Sequence, residues 1–440
     1  MSKFETFRQQ YPVFQYRGYE TEFAEGLCRV NFRYRIEGLC DFTTKWQFPT
    51  KHTHTDAILE KLLFSLGMVE AISYYKCVCP KVVEVQCQTL TKWQAAWWKK
   101  LFYHGLGEFQ YLNGIHISEE ELFDFSYEEA KEVRLHDEAA YSGVIVPVGG
   151  GKDSVVSLEL LKDVGVYTFS INESTTIRNV ISQCEGAVGN FPVRRILDKN
   201  ILRLNEEGYL NDHIPFSAVV AFATVITAYL NQVKYIALSN ENSANESTVK
   251  DSFVNHQYSK SFEFETDFAE YMERLCDSDI HYFSMLRPLA EIQIAQLFAE
   301  YRQYHSVFRS CNAGSKQGIW CCNCPKCLFV YMILTPFLPQ EELVGIFGEN
   351  LLEKESMDRY FRELTGIEEN KPFECVGTRQ EVCFALKRFV VRGGRSLLTD
   401  RYASYLEQIP DGLDELLGSL SAEHHIPEEL YQYLERSLTK

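Results

Sequence analysis

The chain of 440 residues is long enough for two or three domains, and 45% hydrophobic with 24% charged residues is the composition of an ordinary globular protein. A formal net charge of −17 opposes a nucleic-acid partner, because proteins that grip a phosphate backbone present a basic surface. The opening Met1-Ser-Lys-Phe-Glu-Thr-Phe7 lacks an apolar signal core. The longest apolar run, Phe216–Leu230, is short and broken by Ser, Thr and Ala, so a cytoplasmic protein without a membrane span is expected.

Residues 1–138 read as an N-terminal α+β domain. Alternation in Arg29-Val-Asn-Phe-Arg-Tyr-Arg-Ile36 predicts antiparallel strands between Tyr19 and Phe48. Apolar residues at helical spacing predict a helix from Thr55 to about Tyr75, and a second begins after Thr91. Its Trp93, Trp97 and Trp98 are expected in the core rather than in a nucleotide pocket. The acidic run from Ser118 to Asp137 is taken as a solvated linker or helix leading into the central unit.

From Val144 strands and helices alternate: strand 144–148, helix 154–162, strand Val166–Ile171, a helix from about Thr175, strand Val193–Leu197, helix Phe216–Leu230 and strand Tyr235–Ser239. This rhythm predicts an α/β unit over 139–340, a parallel sheet with helices on both faces and ligands beyond the carboxyl ends of the strands. The loops at those ends carry Gly149–Ser154 and Asn240-Glu-Asn-Ser-Ala-Asn-Glu-Ser247. Further on lie His256, Tyr258 and Lys260, and Arg287-Pro288 before a helix Leu289–Tyr301. A lone histidine is more often structural than catalytic, whereas arginine at a helix start suits an anion.

Val144-Ile-Val-Pro-Val-Gly-Gly-Gly-Lys-Asp-Ser154 is a strand, a glycine turn and a helix start, which is a phosphate site in outline. Asp153 after Lys152 excludes a Walker loop, which needs Ser or Thr there. Gly150, Gly151, Asp153 and Ser154 resemble the loop of the N-type ATP pyrophosphatases (PP-loop, HUP-like fold), with Gly149 where that pattern has Ser. The resemblance implies cleavage of ATP between the α- and β-phosphates. The plainer alternative is a glycine-rich turn in any α/β protein.

Fourteen cysteines in a large chain without an export signal are expected to be mostly reduced. Cys311, Cys321, Cys324 and Cys327 have the spacing of a closed tetrahedral Zn2+ site, against the alternative of four reduced core thiols. The cluster resembles that of the 7-cyano-7-deazaguanine synthases, which normally has Gly at the place of Cys322, and Cys322 leaves the ligand set open. Residues 341–440 read as a small helical region, with helices over Asp358–Leu364 and Ile426–Leu438 and a mixed loop Lys371–Thr378 carrying Cys375.

Taken together with Ser73-Tyr-Tyr-Lys76, Gly105-Leu-Gly-Glu-Phe109, Asn255–Lys260 and Arg287-Pro-Leu289, these segments resemble the UDP-N-acetyl-α-D-muramoyl-L-alanyl-L-glutamate epimerases of peptidoglycan synthesis over almost the whole chain. The resemblance implies ATP-dependent inversion of the terminal L-glutamate of a UDP-muramoyl dipeptide through an acyl-adenylate, with release of AMP and pyrophosphate. ATP and Mg2+ would be required. The implied roles are Gly149, Gly150, Gly151, Lys152 and Ser154 for pyrophosphate, Asp153 for Mg2+, and Lys260 and Arg287 as anion clamps; Asn240 and Glu241, in a polar loop after an apolar strand, read as Mg2+ or ribose contacts against the alternative of simple turn chemistry. His256 and Cys375 are the favoured proton-transfer groups. The alternatives are a nucleobase- or tRNA-modifying enzyme with the same loop, which the net charge opposes, and a non-catalytic nucleotide sensor.

Overall fold

The computed structural model describes residues 1–249 and 254–438. Strands β1 (Val13–Ala24), β2 (Leu27–Ile36) and β3 (Cys40–Pro49) form an antiparallel meander. In β2, Cys28, Val30, Phe32, Tyr34 and Ile36 are all fully buried while the residues between them are not, the period of two expected of a half-covered sheet. Helix Ala57–Tyr75, capped by the Asp56 side chain, lies on that face. It comes so close that a Cβ at Gly67 would stand 1.9 Å from the Tyr16 hydroxyl.

The next strands are β4 (Val82–Val85), β5 (Asp124–Ser126), β6 (Leu135–His136), β7 (Val144–Pro147), β8 (Val166–Ile171) and β9 (Ala187–Ile196). They are followed by β10 (Tyr235–Leu238), β11 (Cys276–Asp277) and β12 (His281–Ser284). One ten-stranded sheet runs β12-β10-β7-β8-β9-β3-β2-β1-β4-β5, and β6 pairs with β11 apart from it. The five strands from β12 to β9 are mutually parallel, as the alternation of elements predicts. The N-terminal segment, expected as a unit of its own, shares this sheet, because β3 pairs with β9 through Lys45–Ile196, Trp46–Arg195 and Gln47–Arg194.

The acidic run, expected as a solvated linker or helix, is helical only at its start. It forms a short helix Glu119–Leu122 and strand β5, held because Phe123 and Phe125 pack together and Phe123 meets Tyr75 and Phe102. Trp97 and Trp98 lie against Phe222 and Tyr271 in the core, as expected.

The C-terminal region is helical, with Gln340–Phe347, Asp358–Thr365, Arg379–Val391 and Glu428–Leu438 its longer helices. It shares an apolar core with helices Lys152–Leu161, Glu291–Glu300 and Pro325–Leu334. Val376 of the 371–378 loop belongs to that core, and Gly377 packs against Glu291. No helix among the described residues is long and apolar enough to cross a membrane.

Candidate active site at the strand ends

The glycine turn leaves β7 and enters helix Lys152–Leu161, whose N-terminal residue Gly151 has no capping side chain. Gly150 sits at φ 86°, and a Cβ there would stand 2.7 Å from Thr176 Cγ2, so backbone and neighbour both require glycine. Gly149 is different, with nothing within 4 Å of an added Cβ. The serine of the pyrophosphatase pattern would fit there. Arg309 donates its backbone N–H to the Gly150 carbonyl at 2.8 Å, and the Lys152 N–H reaches Ser310 Oγ at 3.4 Å. The segment before the cysteine cluster thus braces the turn.

Lys152 and Arg287, expected to face an anion, are both fully buried. The Lys152 ammonium bonds to Asp153 and to Glu291 at the start of helix Glu291–Glu300. Burial opposes its charge, but the two carboxylates outweigh it and hold the ammonium above the usual lysine range. Burial in turn pushes Glu291 up to about 8 against the pull of Lys152. Asp153 is partly open; burial would raise its carboxyl, yet Lys152, Lys326 and Lys260 hold it below the usual aspartate range.

Arg287 pairs with buried Glu265 at 2.8 Å and donates to the carbonyls of Glu241 at 2.7 Å and Lys260 at 2.6 Å. It fastens the loop after β10 to the segment carrying Lys260. Asn240 is tied to Ser284 Oγ at 3.1 Å, and Glu241 is buried beside these groups. Glu246, in the same loop, is bonded by Lys371.

Lys371 begins the strap that assembles the site. From it the chain passes Glu374, bonded by Asn312 at 3.0 Å, and Cys375, and reaches Gly377, where a Cβ would stand 2.9 Å from Glu291 Cβ. Cys375 Sγ lies 3.2 Å from Lys260 Nζ, and His256 is near enough to act on the thiol electrostatically. His256 Nδ1 bonds to Glu108 Oε2, and the ring of His213 lies 4.5 Å from that of His256 and 3.6 Å from Glu108. Burial alone would raise the Cys375 thiol, but Lys260 and then His256 bring it down to about 6. Burial likewise opposes a charge on His256, whereas Cys375 and Glu108 raise it to about 10. His213 goes the other way, to about 3, first through burial and then through the charge of His256.

A thiolate–imidazolium pair backed by a carboxylate is the arrangement of an activated thiol. The structure therefore joins the two residues singled out for proton transfer and adds Glu108 and His213. Glu108 stood in the sequence inside Gly105–Phe109, with no local sign of its partner.

Cys311, Cys321, Cys324 and Cys327 gather with their sulfurs all within 4.8 Å of one another. Separations of 3.9 Å (Cys311–Cys324), 3.6 Å (Cys321–Cys327) and 3.5 Å (Cys324–Cys327) approach the about 3.8 Å edge of a tetrahedron with Zn–S bonds of about 2.3 Å. The group can hold a metal ion. Cys322 stands apart, its Sγ 3.2 Å from the Phe347 carbonyl, and its φ of 50° lies in the left-handed region that favours glycine. Cys322→Gly is expected to leave metal content unchanged and unfolding free energy within about 1 kcal/mol, because relief of the left-handed backbone offsets the lost contact. Metal analysis and denaturant unfolding of the purified variant check this, and loss of metal would place Cys322 among the ligands. Lys326, between the last two cysteines, is buried and faces the turn and the strap electrostatically, so cluster and loop form one site.

An open cleft between Lys61, Ser65, Gln94, Tyr271 and Arg274 contains none of these groups. The chemistry-bearing side chains instead mark an α/β protein with its site at the carboxyl ends of parallel strands. Among known families, a model described as the MurL N-terminal domain matches residues 5–285, and one described as the MurL C-terminal domain matches residues 307–398. The chain belongs to the MurL family. It is 33% identical over 394 residues to the UDP-N-acetyl-alpha-D-muramoyl-L-alanyl-L-glutamate epimerase of Xanthomonas oryzae pv. oryzae, and 35% identical over 399 residues to the protein of that name from Micromonospora sp., with 85% of each chain covered in both comparisons. The protein of that name from Salinispora tropica is 34% identical over 353 residues, covering 75% of this chain and 73% of its own. No solved structure matches the chain.

Proposed function

We propose that the protein inverts the terminal L-glutamate of UDP-N-acetylmuramoyl-L-alanyl-L-glutamate to D-glutamate in an ATP-dependent reaction that forms an acyl-adenylate and releases AMP and pyrophosphate. Its relatives' names supply the substrate. The observation that carries the ATP chemistry is the uncapped glycine turn beside an activated thiol, joined to it by the 371–378 strap. The turn suits pyrophosphate through backbone amides and the helix N-terminus. Lys260, held charged by Cys375, Glu241 and Asp153 against the cost of burial, is the cation on the substrate side; Lys152 stiffens the turn from within. Asp153 is the side chain of the turn that would hold Mg2+, which would draw charge from the phosphates. The four clustered thiolates suit Zn2+ with no position left for water, so that ion would be structural.

A glutamate α-hydrogen resists removal while the adjacent carboxylate is charged. Transfer of AMP neutralises that carboxylate, so a side-chain base can take the α-proton and a proton can return on the opposite face. In D2O with Mg-ATP, the product is expected to carry deuterium at the glutamate α-carbon, and mass spectrometry or NMR reads it. An ATP analogue blocked between the α- and β-phosphates should abolish the incorporation. Exchange without nucleotide, or inversion without α-deuterium, would rule the mechanism out.

A further inference from the structure

The overall reaction needs more than adenylation and proton transfer, since the activated acyl group must return to a carboxylate by addition of water. A thiolate held beside an imidazolium and a buried carboxylate can serve that acyl transfer as well as move a proton. That set belongs to enzymes that accept an acyl group on sulfur and then give it to water. Cys375 is partly open, with Lys260 at 3.2 Å and the His256–Glu108 pair behind it. The strap that carries it also packs against Glu291, the partner of Lys152 in the glycine turn, so the sulfur and the expected leaving group share one site.

We propose that Cys375 is an acyl acceptor and that the glutamate is held as a thioester during the reaction. This rests on the adenylation reading above. The thiolate attacks the carbonyl carbon of the acyl-adenylate; the C–S bond forms as the C–O bond to AMP breaks, and AMP leaves with the electron pair. Inversion at the α-carbon then takes place next to a thioester carbonyl, with the α-proton exchanged with solvent. Water attacks the carbonyl carbon, the C–S bond breaks, and the electron pair returns to sulfur beside Lys260. Acylation removes the sulfur's negative charge, so His256 gives its proton to solvent; it then takes one proton from the attacking water, the second leaves to solvent from the acid formed, and the site ends with a carboxylate product, the starting thiolate and the starting imidazolium.

The ionisation of the cluster agrees with these roles. A thiol brought down to about 6, with Lys260 and His256 as the causes acting against burial, is ionised near neutral pH and ready to attack an acyl carbon. Burial and the charge of His256 keep His213 neutral, so it lies beside the pair without adding a charge. Glu108 reaches the reaction only through His256 and is a positioning residue.

The test uses the full-length protein with Mg-ATP and UDP-muramoyl dipeptide, quenched in acid over a time course and read by intact-protein and peptide mass spectrometry. The expected result is a mass gain equal to the substrate less water, on the peptide that contains Cys375, removed by neutral hydroxylamine as a hydroxamate. Glu108→Gln should slow deacylation and raise the acylated fraction severalfold. Cys375→Ala should lose the adduct and slow epimerisation by at least about a thousandfold. If AMP and inverted product form with no acylated Cys375 in either wild type or Glu108→Gln, or if Cys375→Ala still inverts the substrate, the thioester is overturned. Substrate-dependent exchange of pyrophosphate into ATP by the wild-type protein separates the two failures: exchange without adduct rejects the thioester alone, whereas absence of exchange rejects adenylation.

Discussion

Serine in place of Cys311 is expected to abolish the metal binding proposed for the four-cysteine cluster and to lower the thermal midpoint far more than serine in place of Cys184. Both cysteines are buried. Cys184 sits singly in the apolar core, where a thiol acts as a small hydrophobe, and its loss is an ordinary core substitution. Cys311 is one of four sulfurs gathered around a common centre, and it also accepts the Gly314 N–H at 3.3 Å. Structural zinc in small peptides contributes roughly 10–16 kcal/mol of apparent binding energy that appears as folding energy. Even a part of that is large against the about 5–15 kcal/mol that holds a typical domain folded. The cluster fixes residues 309–327 against the glycine turn through Arg309 and Ser310, so loss of metal should also loosen the turn. Metal analysis with calorimetry on both variants checks the claim. A Cys311→Ser protein with full metal and an unchanged midpoint would refute it.

How far the site was legible follows from what each residue's role depends on. The glycine turn was readable because its requirement is local: a buried strand, residues free to adopt φ > 0 and a helix start. The cysteine cluster was readable for the same reason, since the spacing of its ligands is a property of one segment. Strand β8 matched its expected span, whereas β9 begins six residues before Val193 because its first half, Ala187–Pro192, is half-open and mixed in composition and shows no apolar run. The grouping of Cys375, Lys260, His256 and Glu108 joins the strap, the segment after β10 and a short helix at Gly107–Leu112, and no spacing encodes it. Lys152 and Arg287 show the opposite difficulty. Sequence supplies their charge but not its direction, and the carboxylates that turn them inward, Glu291 and Glu265, lie on distant segments. A sign was present for Arg287, whose neighbours Met285, Leu286 and Leu289 are all apolar and fully buried.

Arg287→Met should lower unfolding free energy by about 3–5 kcal/mol, the range found when one member of a buried ion pair is removed. Glu265 is 1% exposed and takes the guanidinium on Oε2 while its other oxygen accepts the Ser284 N–H at 3.1 Å. Methionine fills the space but leaves that carboxylate charged and dry, or forces a proton onto it. The carbonyls of Glu241 and Lys260 lose their donor at the same step. Lysine should not rescue the site, because one ammonium on a flexible stem cannot span a carboxylate and two carbonyls in the plane that the guanidinium occupies. Arg287→Met combined with Glu265→Gln should recover part of the loss, since the uncompensated charge is gone while the carbonyls remain unpaired. Denaturant unfolding of the single and double variants measures each contribution. Because Arg287 holds the backbone of Lys260, the folded fraction of Arg287→Met should also alkylate more slowly at Cys375, whose thiolate depends on that ammonium. A loss below about 1 kcal/mol, the size of a surface pair, would mean that Glu265 finds another partner and that Arg287 does not hold the loop.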